Sequence, residues 1–318
     1  MNNLESHPNA PGPATADVGL GARCASAAYG EGVIDARWPF STPTKREFVN
    51  QYPSVGSTRP EPTREPGVSL IIPAYNEEER IRRSLEGYIP VLECHDVPYE
   101  VIVVVDGSDR TAEIARGYEP RGVRVLRIDE RMGKGGAILA GLRHARYDVV
   151  GFADADGSLS PADFKRLLEI MSNSTLDCVI ASRWVKGSHW IRKEPLAKRI
   201  ASRGFNLLVR GLLRLPVRDT QCGAKFFRSA LVEKLLEHVA VTNFTTDVGF
   251  LFHARRCGAR ITEVPITWDH DPRSHFRLGP MIPVMFLTVL GIRVMNLPVG
   301  RYIPEQFVRR ISRSIGIF

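Results

Sequence analysis

From Val68 onward, short apolar runs alternate with segments of helical period, and this alternation restricts the fold more than any other feature of the 318-residue chain. The runs VSLIIP (68–73), EVIVVV (100–105), VRVLRI (123–128) and YDVVGFA (147–153) are rich in β-branched residues and almost free of internal alternation, as strands covered on both faces are. The segments between them, 77–92, 111–118 and 135–145, are long enough to be helices. Parallel neighbours need such crossovers, so the pattern predicts an α/β fold with a mainly parallel sheet flanked by helices. Ser160-Pro161-Ala162-Asp163 reads as a capped helix start running to Met171. A fifth strand, LDCVIASR (176–183), precedes a basic helix (194–213), two further helices (230–237 and 246–256) and a strand (260–266). These later elements are expected to cap the sheet within one catalytic domain, 67–279.

The ends read differently. Residues 1–66 are rich in Pro, Gly, Ala, Ser and Thr without a sustained apolar period, the composition of a disordered arm. No basic, apolar and small-residue succession marks a signal peptide there. The segment 280–297 is the most apolar but contains Pro283, Gly291 and Arg293, and it barely reaches the ~20 residues a spanning helix needs. The tail FVRRISRSIGIF interleaves apolar residues with Arg309, Arg310 and Arg313. Together 280–318 has the character of a segment that lies in a membrane interface next to anionic lipid; the alternative is a buried helix for the apolar part and a frayed basic end for the tail. The formal net charge of +8 favours an anionic partner. Strands lack the interleaved aromatics that stack bases, which argues against nucleic acid as that partner. Five scattered cysteines with no C-x-x-C pair argue against a disulfide framework or zinc and for a reducing, cytoplasmic setting.

The chemistry concentrates where strands end. Asp154-Ala155-Asp156 closes the fourth strand; side chains two apart in an extended chain share a side, and two hard carboxylates so placed suit Mg²⁺ or Mn²⁺. Pro73-Ala74-Tyr75-Asn76-Glu77 follows the first strand and opens a helix, and Asp106-Gly107-Ser108 follows the second; both turns offer groups to a nucleotide. Met132-Gly133-Lys134-Gly135-Gly136 sets a lysine among glycines at a helix start, a natural contact for pyrophosphate. Neither a P-loop nor a G-x-G-x-x-G spacing is present.

PAYNEEERI, VVVDGSDRTAEIA, GKGGAILAGLRHA, DADGSLSPADF, ASRWVKGS, RDTQCGAKFF, FTTDVGFL and EVPITW occur in one order. That ordered set resembles family 2 glycosyltransferases with the Rossmann-like GT-A fold, and most of all the branch of dolichyl-phosphate β-glucosyltransferases and dolichol-phosphate mannose synthases. The resemblance covers roughly 68–297. It implies that Pro73, Tyr75, Glu77 and Asp106 hold the nucleotide with Lys134 nearby, and that Asp154 and Asp156 bind the nucleotide sugar and its metal. Asp219 and Gln221 are implied to border the donor sugar, and Arg183, Lys198 and Ser202 to meet the acceptor phosphate. Asp247 stands where many inverting relatives place a catalytic base. Ser158 occupies a position that is glutamine in the mannose synthases, while DADG and DTQCG resemble the glucosyl branch. An aspartate that normally precedes Asp106 is Val105 here.

The expected activity is inverting transfer of a hexose, glucose before others, from UDP-glucose or GDP-mannose to a polyprenyl phosphate. It is expected at the cytoplasmic face of a membrane, with the protein held peripherally. A phosphate monoester has a second pKa near ~6, so the acceptor is already anionic at neutral pH and Asp247 is expected to orient substrate more than to remove a proton. The rivals are a family 2 enzyme with a soluble or glycan acceptor, and a non-catalytic nucleotide- or RNA-binding module.

Overall fold

The computed structural model describes residues 64–192, 195–238, 245–269 and 278–297. The arm expected over 1–66 lies outside these apart from its last three residues, as does the basic tail from 298 onward. Seven strands form one sheet: β1 (Glu65–Ala74), β2 (Tyr99–Val105), β3 (Val123–Arg127), β4 (Tyr147–Phe152), β5 (Cys178–Ser182), β7 (Lys225–Arg228) and β8 (Ile261–Pro265). Their order is β3-β2-β1-β4-β7-β5-β8. All neighbours run parallel except β7, which is antiparallel to both β4 and β5. A separate parallel ribbon joins β6 (His189–Arg192) to β9 (Thr267–Asp269), two short strands too polar to register as strands in the sequence.

Helices cover both faces, as the continuous apolar strands require. One core gathers Leu70, Ile72 and Val103 of the sheet with Leu85 and Tyr88 of α1 (Ile81–Glu93), Ala112 of α2 (Thr111–Arg116), and Phe164 and Leu168 of α4 (Pro161–Ser172). The other gathers Ile71, Val104 and Phe152 with α3 (Gly133–His144), α6 (Ser229–His238) and α7 (Thr246–Arg256). Val209 and Leu213 of α5 (Leu196–Leu213) and Val289 and Ile292 of α8 (Leu278–Met295) join that second core. The start of α4 is capped as its sequence predicts: Ser160 Oγ accepts the Asp163 amide at 3.1 Å, with Pro161 in the first turn.

Two boundaries differ from the sequence reading by more than two residues. Strand β1 begins at Glu65, inside the expected arm. Helix α1 begins at Ile81 rather than 77, because Asn76 adopts a left-handed φ of 53° and residues 77–80 form a turn closed by Arg80 N–H to the Glu77 carbonyl.

β1 and β4 are adjacent, yet the chain leaves β1 in one direction and returns on its other side. This reversal makes the carboxyl ends of β1 and β4 the switch point where open α/β sheets bind ligands. Because β7 is antiparallel, its first residue, Lys225, pairs with Phe152 at the end of β4. The loop preceding β7 therefore reaches the same edge.

Candidate active site

Asp154 and Asp156 leave the end of β4 at this edge. Gly157 follows with a φ of +65°, a left-handed turn that a side chain would strain, and the Ser158 amide donates to Asp156 Oδ1 at 2.9 Å. Asp154 Oδ1 lies 2.8 Å from Lys134 Nζ, so the lysine of the glycine-rich helix start meets the first carboxylate. Lys134 is also 3.9 Å from Asp247 Oδ2, and Asp247 Oδ1 accepts from Lys225 Nζ at 2.7 Å. Lys225 is fully buried and also donates to the Cys222 carbonyl at 2.6 Å. Carboxylates and ammonium groups thus alternate, Asp154, Lys134, Asp247, Lys225, from the cleft into the core. Burial works against the charge of Lys134, but the Asp154 and Asp247 carboxylates prevail and raise its pKa above the usual lysine range. It stays an ammonium. Asp247 sits in the first turn of α7, where the helix favours a negative charge.

Glu77 is a further carboxyl, within electrostatic reach of Asp156 and Asp154. Burial pushes its pKa up to about 7, with the negative charges of Asp156 and Asp154 adding to the shift and the Arg80 guanidinium opposing it. Arg80 Nη2 donates to Glu77 Oε1 at 2.7 Å. The Glu77 amide donates to Thr111 Oγ1 and the Ser108 amide to Asn76 Oδ1, tying the turns after β1 and β2 together. Asp106 turns to the glycine-rich loop: its Oδ2 accepts the amides of Met132 and Gly133 at 3.0 and 2.8 Å, and burial raises its pKa. It therefore positions the turn that carries Lys134. Pro73 is half-buried near the end of β1, and Tyr75 is exposed, with the Arg131 guanidinium 4.1 Å above its ring.

Asp219 and Gln221 arrive on the loop before β7. An added Cβ on Gly223 would fall 1.8 Å from Asp154 Oδ2, so only a bare backbone lets this loop lie against the first carboxylate. Asp219 is fully buried and holds Arg183 in a fork: Nε donates to Oδ2 at 2.8 Å and Nη2 to Oδ1 at 3.0 Å. This pair outweighs burial and lowers the Asp219 pKa. Asp219 thus fixes the orientation of the guanidinium that the resemblance implies to meet the acceptor phosphate. The Gln221 amide also donates to Asp219 Oδ1, while its side-chain Nε2 is buried without a hydrogen bond. Lys198 and Ser202 lie one turn apart near the start of α5. The next residue on that face, Asn206, donates to the Ser202 carbonyl and accepts from the Thr220 amide and hydroxyl, which fastens α5 to the loop.

Sequence reasoning missed Lys225, Gly223 and Arg80. Lys225 had one available signal, a lone charge opening the apolar run KFF. Gly223 and Arg80 had none, since their roles depend on residues far away or on the exact path of a turn.

An open sheet of this order, with paired carboxylates and a lysine-bearing helix start at its carboxyl edge, defines a GT-A-type α/β enzyme. The chain belongs to glycosyl transferase family 2, whose profile matches residues 69–236, and it is a glycosyltransferase. It is 32% identical over 239 residues to a dolichyl-phosphate beta-glucosyltransferase of Trichomonas vaginalis, covering 71% of this chain and 73% of the relative. It is 30% identical over 282 residues to the dolichyl-phosphate beta-glucosyltransferase of Homo sapiens, covering 78% and 84%. Among solved structures, the fold matches glucosyl-3-phosphoglycerate synthase from Mycobacterium tuberculosis in complex with Mn²⁺, UDP-glucose and phosphoglyceric acid. There the TM-score is 0.56 at 22% identity, over 72% of this chain and 79% of that one.

Proposed function

We propose that the enzyme transfers glucose from UDP-glucose to a polyprenyl phosphate of the dolichyl type, with inversion. The observation that carries this reading is the pair Asp154 and Asp156 at the sheet's switch point, with Lys134 2.8 Å from the first. The relatives named for dolichyl-phosphate glucosylation support the choice of sugar and acceptor.

The residues fit a divalent ion. Two carboxylates flank the cleft, and among the described residues no group of three acidic, histidine or cysteine side chains could enclose a metal alone. Magnesium is commonly held in this way, by one or two carboxylates with substrate phosphates and water completing its shell. The hydroxyl of Ser158, two residues after Asp156, is buried without a hydrogen bond and is a further oxygen beside that site. Asp154 and Asp156 would hold Mg²⁺ or Mn²⁺, which when bound supplies positive charge to a departing diphosphate.

The chain's own residues do the rest. Lys134 offers a fixed ammonium to the same diphosphate, preorganised by Asp154 and Asp247. Asp247 is buried between two ammonium groups, so it acts by holding Lys134 rather than by reaching the acceptor. Pro73, Tyr75, Glu77 and Asp106 shape the nucleotide end, with Tyr75 presenting an exposed ring. Gln221 borders the sugar with an unpartnered amide nitrogen. Lys198 and Ser202, with Arg183 oriented by Asp219, face the acceptor phosphate.

The catalytic unit is 67–279, and 280–318 associates with the cytoplasmic face of a membrane. No helix among the described residues is long and apolar enough to cross one. Helix α8 buries Met285, Val289 and Ile292 but leaves Phe286, Leu287 and Leu290 exposed, so it serves both as core and as apolar surface. The deciding experiment offers UDP-glucose, GDP-mannose and other nucleotide sugars with a polyprenyl phosphate and follows product by mass. Glucosyl-phosphoryl-polyprenol formed from UDP-glucose is expected; transfer only to soluble sugars or glycans would overturn the reading.

A further inference from the structure

Three tryptophans stand together beside the start of α5, each with an arginine at its ring. Trp184 follows Arg183 at the end of β5, and its ring centre lies 5.2 Å from that of Trp190 in β6. Trp190 is the register partner of Trp268 across the β6–β9 ribbon. The guanidinium carbon of Arg203 lies 4.5 Å from the centre of the Trp184 ring, that of Arg199 5.8 Å from Trp190 and that of Arg183 5.3 Å from Trp268. Among the described residues, five side-chain nitrogens are buried without a hydrogen bond. Two are Arg64 Nη1 and Gln221 Nε2; the other three are here, Nε1 of Trp184, Nε1 of Trp268 and Nε of Arg199. Trp268 is only 7% exposed. Buried N–H groups are nearly always paired, so three in one cluster mark a place built to receive oxygen.

We propose that the N–H groups of Trp184, Trp268 and Arg199 donate to the acceptor's phosphate and so select a phosphate over a hydroxyl acceptor. All three are donors that cannot accept. A phosphate ester brings three oxygens that accept strongly, whereas a sugar hydroxyl must also donate and leaves buried donors unmatched. Sites built on buried polar groups reject a ligand that lacks the partner far more strongly than apolar pockets reject a small change of shape. The position of the cluster agrees with this role. Trp268 forms a β-bridge with Leu159, three residues beyond Asp156, and Arg199 follows Lys198 on α5. The donors therefore lie between the carboxylate loop and the helix that carries Lys198 and Ser202. Charge is matched as well: Arg183, Arg199 and Arg203 bring three cations to the rings, while the neighbouring carboxylates Asp219 and Asp269 are held by Arg183 and Arg192.

The selection rests on the lipid-phosphate reading, and its test separates the two. Phenylalanine keeps an aromatic ring in the stack and lacks the N–H. Full-length W184F and W268F are compared with wild type on UDP-glucose, Mg²⁺ and geranyl phosphate, a short prenyl phosphate. Each is expected to raise KM for geranyl phosphate about tenfold or more, with KM for UDP-glucose and the thermal transition unchanged. R199K, which keeps the charge and loses Nε, is expected to behave as W184F does; if W268F loses its thermal transition, W184F and R199K carry the test. Trp190 shares the stack, but its nitrogen is not among the buried unpartnered ones, so W190F is expected to leave both KM values alone. Unchanged acceptor KM in W184F and R199K overturns the proposal, and so does an equal rise in W190F, which makes the stack merely structural. Calorimetric titration with geranyl phosphate, and with geraniol as the phosphate-free control, covers a wild type that transfers nothing. Binding of geranyl phosphate that weakens in W184F and R199K then leaves the subsite standing while the acceptor assignment falls, and no binding by wild type overturns both.

Discussion

A methyl group on Gly223 has nowhere to go except into Asp154. The added Cβ would lie 1.8 Å from Oδ2 and 2.2 Å from Cγ, whereas an ordinary carbon–oxygen contact is about 3.3 Å. Either Asp154 or the loop must yield by about 1.5 Å. The loop is pinned on both sides, by Lys225 bonding the Cys222 carbonyl and by the buried pair of Asp219 with Arg183. Asp154 is 28% exposed toward the cleft and is the freer partner. Its retreat breaks the 2.8 Å contact with Lys134 and separates it from Asp156. Displacement of a reacting constellation by about 1 Å can cost about 100-fold, or roughly 2.7 kcal/mol of transition-state stabilisation. Overpacking costs typically 1–3 kcal/mol of stability. Gly223→Ala is therefore expected to remain folded in a thermal melt while kcat/KM for donor falls about 100-fold. Wild-type kcat and KM in that variant would refute the claim that this loop sets the first carboxylate.

Three other outcomes follow from the same geometry. Lys225→Met leaves Asp247 buried without its closest partner and is expected to cost about 3–5 kcal/mol in urea unfolding; adding Asp247→Asn should restore most of it, and no restoration would count against the pair. Glu77 has a pKa near 7 against an ordinary 4.5, so the folded state holds its proton more tightly than the unfolded chain. Its contribution to stability is complete below about 4.5 and is lost as pH rises through about 7, a difference of up to about 3 kcal/mol. Glu77→Gln in metal-free buffer should flatten this dependence, and an unchanged curve would show that burial of Glu77 is not its source. At Gly211 on α5 an added Cβ meets nothing within 4 Å, so Gly211→Ala should raise stability by about 0.5–1 kcal/mol, read as a higher melting temperature with unaltered activity.

Much of the sheet was legible because its chemistry is local. Strands β1, β2, β4 and β5 are apolar runs buried on both faces, and the cap at Ser160 is a side chain reaching its own helix three residues on. The paired carboxylates were legible too, since a strand end and a two-residue spacing are sequence properties. The start of α1 was not, because whether Asn76 turns left-handed depends on its contact with the Ser108 amide, 32 residues away. Ribbon β6–β9 escaped notice because its polar residues pair across 78 positions, His189 with Thr267, rather than by alternation.

What the sequence determined by itself is which residues are apolar in what period, hence the α/β class, and which carboxylates and lysine stand at strand ends. Only the tertiary structure decided what those groups do to one another. The reversal of β7 sets Lys225 beside the end of β4, Asp247 between two ammonium groups and Gly223 against Asp154. It also fixes the guanidinium of Arg183 against Asp219. Charge interactions depend on distance and burial, and neither exists until strands far apart in the chain have chosen their neighbours.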